Sequence, residues 1–358
     1  MIALAIAGLR HPHIETIIDE ARLRQDVKLI AIADSDPDIR AGYEASLGVP
    51  GYPSHREMLQ AVQADVVGVG AEYGARGAIV RDALAAGVHV LADKPLCTTL
   101  ADLEAIEAAW RASGRHLSVA FEKRFYPPTL AADRLVAEGE LGDLVTIAAS
   151  APHKLTRARR PDWMFDRDQY GGILNDLAVH DIDLLLHFTA ATRGWLRGFA
   201  GNRANADRPG FEDYGLITLR TDDGVLATLE VNWLSPEAAS YHGDYRMRLT
   251  GTLGTAELCW KDDAASVATH RRPPRLEPLP RRLRPAEDFF DALADGRPPA
   301  VTAQDALAAT RIALLAQRSA DTGQSMPWSV AWPGPGTGPG PGPGPGPGPG
   351  PGEAREGA

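Results

Sequence analysis

Residues 2–8 read Ile2-Ala3-Leu4-Ala5-Ile6-Ala7-Gly8, an unbroken apolar run that stops at a glycine. A half-buried strand alternates apolar with polar residues. A run apolar at every position is buried on both faces, as strands inside a parallel sheet are. A helical stretch follows at 13–24, then a second apolar run at 27–33 that ends at Asp34. The next helix is expected at 37–47, with Asp36 as N-cap and Pro37 in the first turn, where its missing N–H costs nothing. A strand at 65–69, a helix at 77–86, a strand at 88–92, a helix at 100–113 and a strand at 117–121 complete the series. Strand and helix in rotation imply parallel strands joined by crossovers, an α/β doubly wound sheet of Rossmann type.

Beyond Phe121 the pattern changes. A helix at 129–138 gives way to strands separated by hairpin signals: 216–221, the turn Asp222-Asp223-Gly224, 225–231, then 245–249 and 256–259. Asp-Gly turns between such runs signal antiparallel pairing. The C-terminal part is therefore expected to be an α+β domain with an open, mostly antiparallel sheet. Helices at 285–294 and 303–322 close it. From 333 to 352 glycine and proline alternate almost without interruption, a composition expected neither to bury surface nor to form a backbone ladder. The expected organisation is a dinucleotide-binding domain (1–122), a substrate and oligomerisation domain (123–330) and a disordered Gly-Pro tail (331–358).

The 358 residues carry a formal net charge of −10, with 44% hydrophobic residues. An acidic chain lacks the attraction to phosphate backbones that supplies non-specific nucleic-acid binding, and an anionic membrane surface is disfavoured likewise. No apolar run approaches the ~20 residues of a membrane span, and the apolar N-terminus lacks a signal peptide's basic start. A cytoplasmic location follows by default. Cys97 and Cys259 are too few for a disulfide framework and read as reduced thiols.

In an open α/β sheet, ligands bind outside the carboxyl ends of the strands. Gly8-Leu9-Arg10-His11-Pro12-His13 occupies the expected phosphate turn. Of the usual three glycines only Gly8 is present, so the turn alone is also compatible with an ordinary strand–helix connection. Asp34, 26 positions later, can accept both ribose hydroxyls of NAD and would repel a 2′-phosphate; as a bare turn cap it would need no cofactor. Arg10 can offer charge to a pyrophosphate.

Asp93-Lys94-Pro95 follows the fourth strand directly. A lysine there can orient a hydroxyl or take part in proton transfer, or it can be a solvated loop residue. In Gly171-Gly172-Ile173-Leu174-Asn175-Asp176-Leu177-Ala178-Val179-His180-Asp181-Ile182-Asp183, a helix is expected to start near Ile173. Asp176 and His180 would share one face of it, an arrangement suited to a general base. A surface ion pair or a satisfied core histidine is the plainer alternative. No third ligand has a zinc-site spacing, so no metal is expected.

This combination resembles the glucose–fructose oxidoreductase / inositol dehydrogenase / rhizopine catabolism (Gfo/Idh/MocA) family over residues 1 to about 330. Asp93-Lys94-Pro95 is similar to the family's Glu-Lys-Pro element, with Asp for Glu, and residues 171–183 to its Gly-Gly-x-x-x-Asp-x-x-x-His-x-x-Asp motif. Residues 119–125 resemble the strand and basic pair beside its active site, and 251–257 a late hairpin. The resemblance implies hydride transfer between NAD, rather than NADP, and a hydroxyl-bearing carbon of a sugar, cyclitol or polyol. It implies that Lys94, Asp176 and His180 are catalytic, His180 taking the hydroxyl proton while Lys94 and Asp176 pair. The implied cofactor contacts are Gly8, Leu9, Arg10, His11, Asp34, Ser35, Lys94 and Glu122. Lys123, Arg124, His153 and Trp163 would shape the substrate pocket.

Two departures stand out. The glycine turn is degenerate, and Ala71-Glu72-Tyr73-Gly74-Ala75-Arg76 replaces the family's Thr-Pro-Asn-x-x-His. Glu72 beside phosphates is unfavourable unless it turns away or pairs with Arg10 or Arg76. A homodimer or homotetramer is expected through the helix-free face of the second sheet. The same fold also supports an NAD-dependent glycosidase working by transient oxidation, or a non-catalytic dinucleotide-binding regulator.

Overall fold

The computed structural model describes residues 1–330. The Gly-Pro tail expected at 331–358 lies outside the described residues. The first sheet holds six parallel strands: β1 (Ile2–Ala7), β2 (Val27–Ala33), β3 (Gly51–Tyr52), β4 (Val66–Val69), β5 (His89–Ala92) and β6 (Leu117–Val119). Their order, β3-β2-β1-β4-β5-β6, reverses between β1 and β4, which opens a crevice at the carboxyl edge. Helices α1 (Ile14–Leu23), α2 (Pro37–Leu47), α3 (His55–Ala61), α4 (Tyr73–Ala85) and α5 (Leu100–Ser113) make the crossovers.

Local chemistry sets the helix bounds. Asp36 accepts from the Asp38 and Ile39 amides ahead of Pro37, and Gly48 ends α2 in the left-handed region. Thr99 caps α5 through the Asp102 amide. Helix α4 begins at Tyr73, four residues before the expected Gly77. Arg76 there is fully buried, and its Nε donates to the Ala71 carbonyl at 2.8 Å, tying down a first turn whose Gly-Ala composition reads as loop. Strand β3 and helix α3, capped by Ser54, have no counterpart in the sequence reading.

The second sheet is nine-stranded and mixed. It comprises β7 (Leu144–Pro152), β8 (Arg193–Gly201), β9 (Tyr214–Thr221), β10 (Leu226–Asn232), β11 (Arg246–Gly251), β12 (Gly254–Cys259), β13 (Ala264–Thr269), β14 (Arg272–Leu276) and β15 (Met326–Ser329). Every neighbouring pair is antiparallel except β7–β10, which run in register from Thr146–Leu226 to Pro152–Asn232. That parallel pair delivers the ends of both strands to one place. Helices α6 (Pro127–Ala137), α7 (Arg167–Tyr170), α8 (Ile173–Asp176), α9 (Val179–Thr189), α10 (Pro285–Asp295) and α11 (Ala303–Thr322) complete the chain.

Helix α11 opens with a Thr302–Asp305 capping box and lies against β8 and α9. Helix α10 buries Ala286, Phe289 and Phe290 against Ile14, Ile17 and Ile18 of α1, so the last part of the chain returns to the first sheet. Alternate residues of β8–β10 leave Trp195, Phe199, Tyr214 and Leu226 exposed. No helix of the described residues is long and apolar enough to cross a membrane.

Candidate active site

The loops at the carboxyl edge of the first sheet converge on the crevice. Gly8 sits at φ 81°, and a Cβ there would lie 2.4 Å from the Ala71 backbone, so only glycine lets the two loops approach. Asp34 accepts from the Leu9 amide at 2.8 Å, the Asp36 amide at 2.9 Å and Arg10 Nε at 3.1 Å. Arg10 also reaches Glu72 at 3.2 Å and Asp36 at 3.5 Å. Glu72 thus pairs with Arg10, a single charge that it shares with Asp34 and Asp36. Arg76 instead donates to Asp93 at 2.7 Å. Ser35 is exposed beside this cluster.

Asp93 ties the turn to the Lys94 loop. One carboxylate oxygen takes Arg76 and lies 2.6 Å from His11 Nδ1; the other accepts from the Lys94 amide at 2.7 Å and lies 3.2 Å from His13 Nδ1. Burial raises a carboxyl's pKa, but Arg76, His11 and His13 outweigh it and hold Asp93 well below the usual range. Burial pushes His11 down to about 4 despite Asp93 beside it. The ligand atoms of His11, His13 and Asp93 lie within 4.8 Å of one another, an arrangement able to hold a cation. The Arg76 guanidinium on the same carboxylate works against one.

Lys94 reaches across to the second domain, where Nζ donates to Asp176 Oδ1 at 2.7 Å and to the Asp176 carbonyl at 3.3 Å. Both side chains are buried. Burial disfavours the Asp176 carboxylate, yet the Lys94 charge and hydrogen bond prevail and its pKa stays below normal. His180, on α9, lies edge-on to Phe121 at 6.0 Å, with Nδ1 unpartnered among the described residues. Its pKa is pushed well below the ordinary histidine value by burial, then by Lys94 and Lys123. The single helix expected across 173–183 is two, α8 and α9, interrupted at Leu177-Ala178. Asp176 and His180 therefore do not pair: the carboxylate faces Lys94 and the imidazole faces the crevice.

A cavity of about 300 Å³ brings together Lys94, His180, His11, Glu122, Lys123 and His153 from the sequence reading. It adds His13, Tyr73, Tyr126, Arg160, Leu177, Trp233, His242 and Tyr245, which that reading missed. Lys123 bonds Asp181 at 2.5 Å beneath the rings of Tyr245 and Trp260. Glu122 accepts from the Tyr126 hydroxyl at 2.9 Å. Arg124 does not line the cavity; it forks onto Asp183 at 2.7 and 2.8 Å and meets His187 at 2.9 Å. Trp163 does not line it either, its ring packing edge-on against Tyr73 at 4.9 Å. The aromatic wall is Trp233, which the β7–β10 pairing sets beside His153, ring centroids 5.4 Å apart.

A reversing parallel sheet whose carboxyl edge meets a mixed sheet across a polar crevice defines a two-domain, dinucleotide-dependent oxidoreductase. Residues 3–121 match the family described as "Oxidoreductase family, NAD-binding Rossmann fold", and residues 129–257 match the GFO/IDH/MocA C-terminal domain. The chain belongs to the Gfo/Idh/MocA family and is an enzyme of the dehydrogenase/reductase type. It is 26% identical to inositol 2-dehydrogenase 2 of Saccharopolyspora erythraea, over 85% of this chain and 88% of that one. It is also 26% identical to D-xylose 1-dehydrogenase (NADP(+)) 2 of Haloferax volcanii, over 83% and 90% of the two chains. Among solved structures, a Thermotoga maritima protein superposes with a TM-score of 0.84 at 26% identity, covering 91% of this chain and all of that one. Myo-inositol 2-dehydrogenase from Lactobacillus plantarum shares the fold, with a TM-score of 0.74 at 21% identity over 92% and 99%.

Proposed function

We propose that this enzyme transfers a hydride between NAD and a secondary hydroxyl or carbonyl carbon of a sugar, cyclitol or related polyol, with Lys94, Asp176 and His180 as the catalytic set. The observation that carries the reading is that Lys94, held from behind by buried Asp176, lines one crevice with His180, whose Nδ1 is unpartnered among the described residues. Bound at the carboxyl edge of the first sheet, the nicotinamide would accept the hydride in one direction and return it in the other.

The chain's own groups support that role. Gly8, Leu9, Arg10 and His11 form the turn at the α1 N-terminus, where a pyrophosphate would lie near the positive end of the helix dipole. The cradle fits because Gly8 lets that turn close on Ala71. Asp34 and Ser35 would meet the adenosine ribose. Asp34, Asp36 and Glu72 together repel a 2′-phosphate, which favours NAD over NADP. Lys94, paired with Asp176, would hold the reacting oxygen, and His180, whose pKa is pushed down by burial and the nearby lysines, would accept its proton. Glu122, Lys123, His153 and Trp233 shape the rest of the pocket.

The exposed apolar residues of the second sheet's open face support a homodimer or homotetramer formed there. The test is an absorbance assay of nicotinamide reduction with myo-inositol, D-xylose and D-glucitol. Reduction by the wild type, lowered roughly a hundred- to ten-thousandfold in His180→Gln, is expected; equal rates in the two would refute the assignment.

A further inference from the structure

The charges lining the cavity do not all find partners. Lys94 is matched by Asp176, Lys123 by Asp181, and Glu122 takes the Tyr126 hydroxyl. Arg160 is different. Its Nε donates to the Leu155 carbonyl at 2.7 Å and its Nη2 to the Lys154 carbonyl at 3.2 Å, and its guanidinium lies 4.8 Å from the centre of the Trp233 ring. Among the described residues no carboxylate pairs with it.

Of the lysine and arginine side chains that line the cavity, Arg160 is the one without a carboxylate partner among the described residues. Acidic groups outnumber lysine and arginine by ten, and Arg10, Arg24, Arg76, Arg124, Arg167 and Arg284 all meet carboxylates. Arg160 is held in place by two backbone carbonyls and an aromatic face, and its Nη1 is left to serve the cavity. A guanidinium fixed in this way loses little entropy when it binds an anion, and its planar fork suits a carboxylate. His242, which also lines the cavity, is pushed below the ordinary imidazole value by burial and then by the charges of Arg160 and Lys154.

We propose that the substrate is a sugar acid, an aldonate or uronate whose carboxylate docks on Arg160 over the Trp233 face while its carbinol carbon lies at Lys94 and His180. This rests on the hydride-transfer reading above. A single fixed guanidinium matches a carboxylate monoanion better than a phosphate dianion, which calls for more donors. Trp233, Tyr126 and Tyr245 supply faces for the carbon chain or ring.

The test compares matched pairs on the wild-type enzyme with NAD: D-gluconate against D-glucitol, and D-glucuronate against D-glucose, with D-glucose 6-phosphate as the phosphate arm. The acid of each pair is expected to have a kcat/KM roughly 10- to 100-fold higher, carried by KM. Arg160→Met is expected to erase most of that preference, and Arg160→Lys to restore part of it. Preference for the neutral partner or for the phosphate, or an equal loss for acid and neutral compounds in Arg160→Met, overturns the proposal. If no compound turns over, the hydride-transfer reading falls separately. Calorimetric titration of D-gluconate into the NAD-loaded protein then decides the docking claim, since wild type should bind it at least tenfold more tightly than Arg160→Met.

Discussion

Lys94 and Asp176 stand 82 positions apart in the chain, yet Nζ and Oδ1 meet at 2.7 Å in a buried contact between the two halves of the molecule. Removing one partner strands the other charge in a low-dielectric site. Lys94→Met and Asp176→Asn should each lower kcat roughly a hundred- to ten-thousandfold. Lys94→Met should also destabilise the fold by about 3–5 kcal/mol. The double variant should be little worse than either single one, because the two act as a unit. Steady-state kinetics and denaturant melts check this; additive losses would show that they work independently.

Acid should destabilise the protein earlier than carboxylate protonation requires. His11 and His89 are pushed down to about 4 by burial, and His153 and His180 are lowered well below the ordinary value. Between pH 6.5 and about 4 the unfolded chain therefore binds protons that the native one refuses, and stability falls as pH falls through that window. Buried His11 alone accounts for something on the order of 3 kcal/mol at the lower end. Thermal melts from neutral to acid should show this decline, flattened in His11→Gln.

Cofactor choice should turn on Asp34. It accepts the Leu9 and Asp36 amides and Arg10, which fixes its carboxylate at the end of β2, where the proposed ribose would lie. Asp34→Ala should weaken NAD binding roughly 10- to 100-fold and narrow the preference over NADP. Fluorescence titration with both dinucleotides reads this directly, and an unchanged ratio would contradict it.

Trp195 is 56% exposed and Leu226 is 52% exposed on the open face of the second sheet. A stable subunit contact there would bury more than about 1,000 Å². Trp195→Glu combined with Leu226→Lys should shift the species seen by light scattering towards monomer. A wild type that is already monomeric would remove the proposed interface.

The first domain was legible because its evidence is local. A fully apolar run marks β1, Asp36-Pro37 marks the start of α2, and Thr99 and Gly114 bracket α5. The helix at 173–183 was misread for the same reason. Spacing alone places Asp176 one turn from His180, and nothing local reveals that a lysine from another domain claims the carboxylate. Trp163 and Trp233 posed a similar problem. Nothing local marks Trp233, and only the parallel β7–β10 pairing, joining strands some eighty residues apart, brings it to the cavity. Arg160 lies in an irregular loop with no periodicity to read, so its lack of a carboxylate partner is visible only in three dimensions.

The most direct test of the account follows the hydride itself. A polyol or sugar acid deuterated at its reacting carbinol carbon is incubated with the enzyme and NAD, and the nicotinamide is analysed by mass spectrometry and NMR. The account predicts one deuterium on the reduced nicotinamide ring per molecule of substrate oxidised. Substrate consumed with no reduced, deuterated nicotinamide accumulating would contradict it and point instead to redox-neutral chemistry in the same crevice.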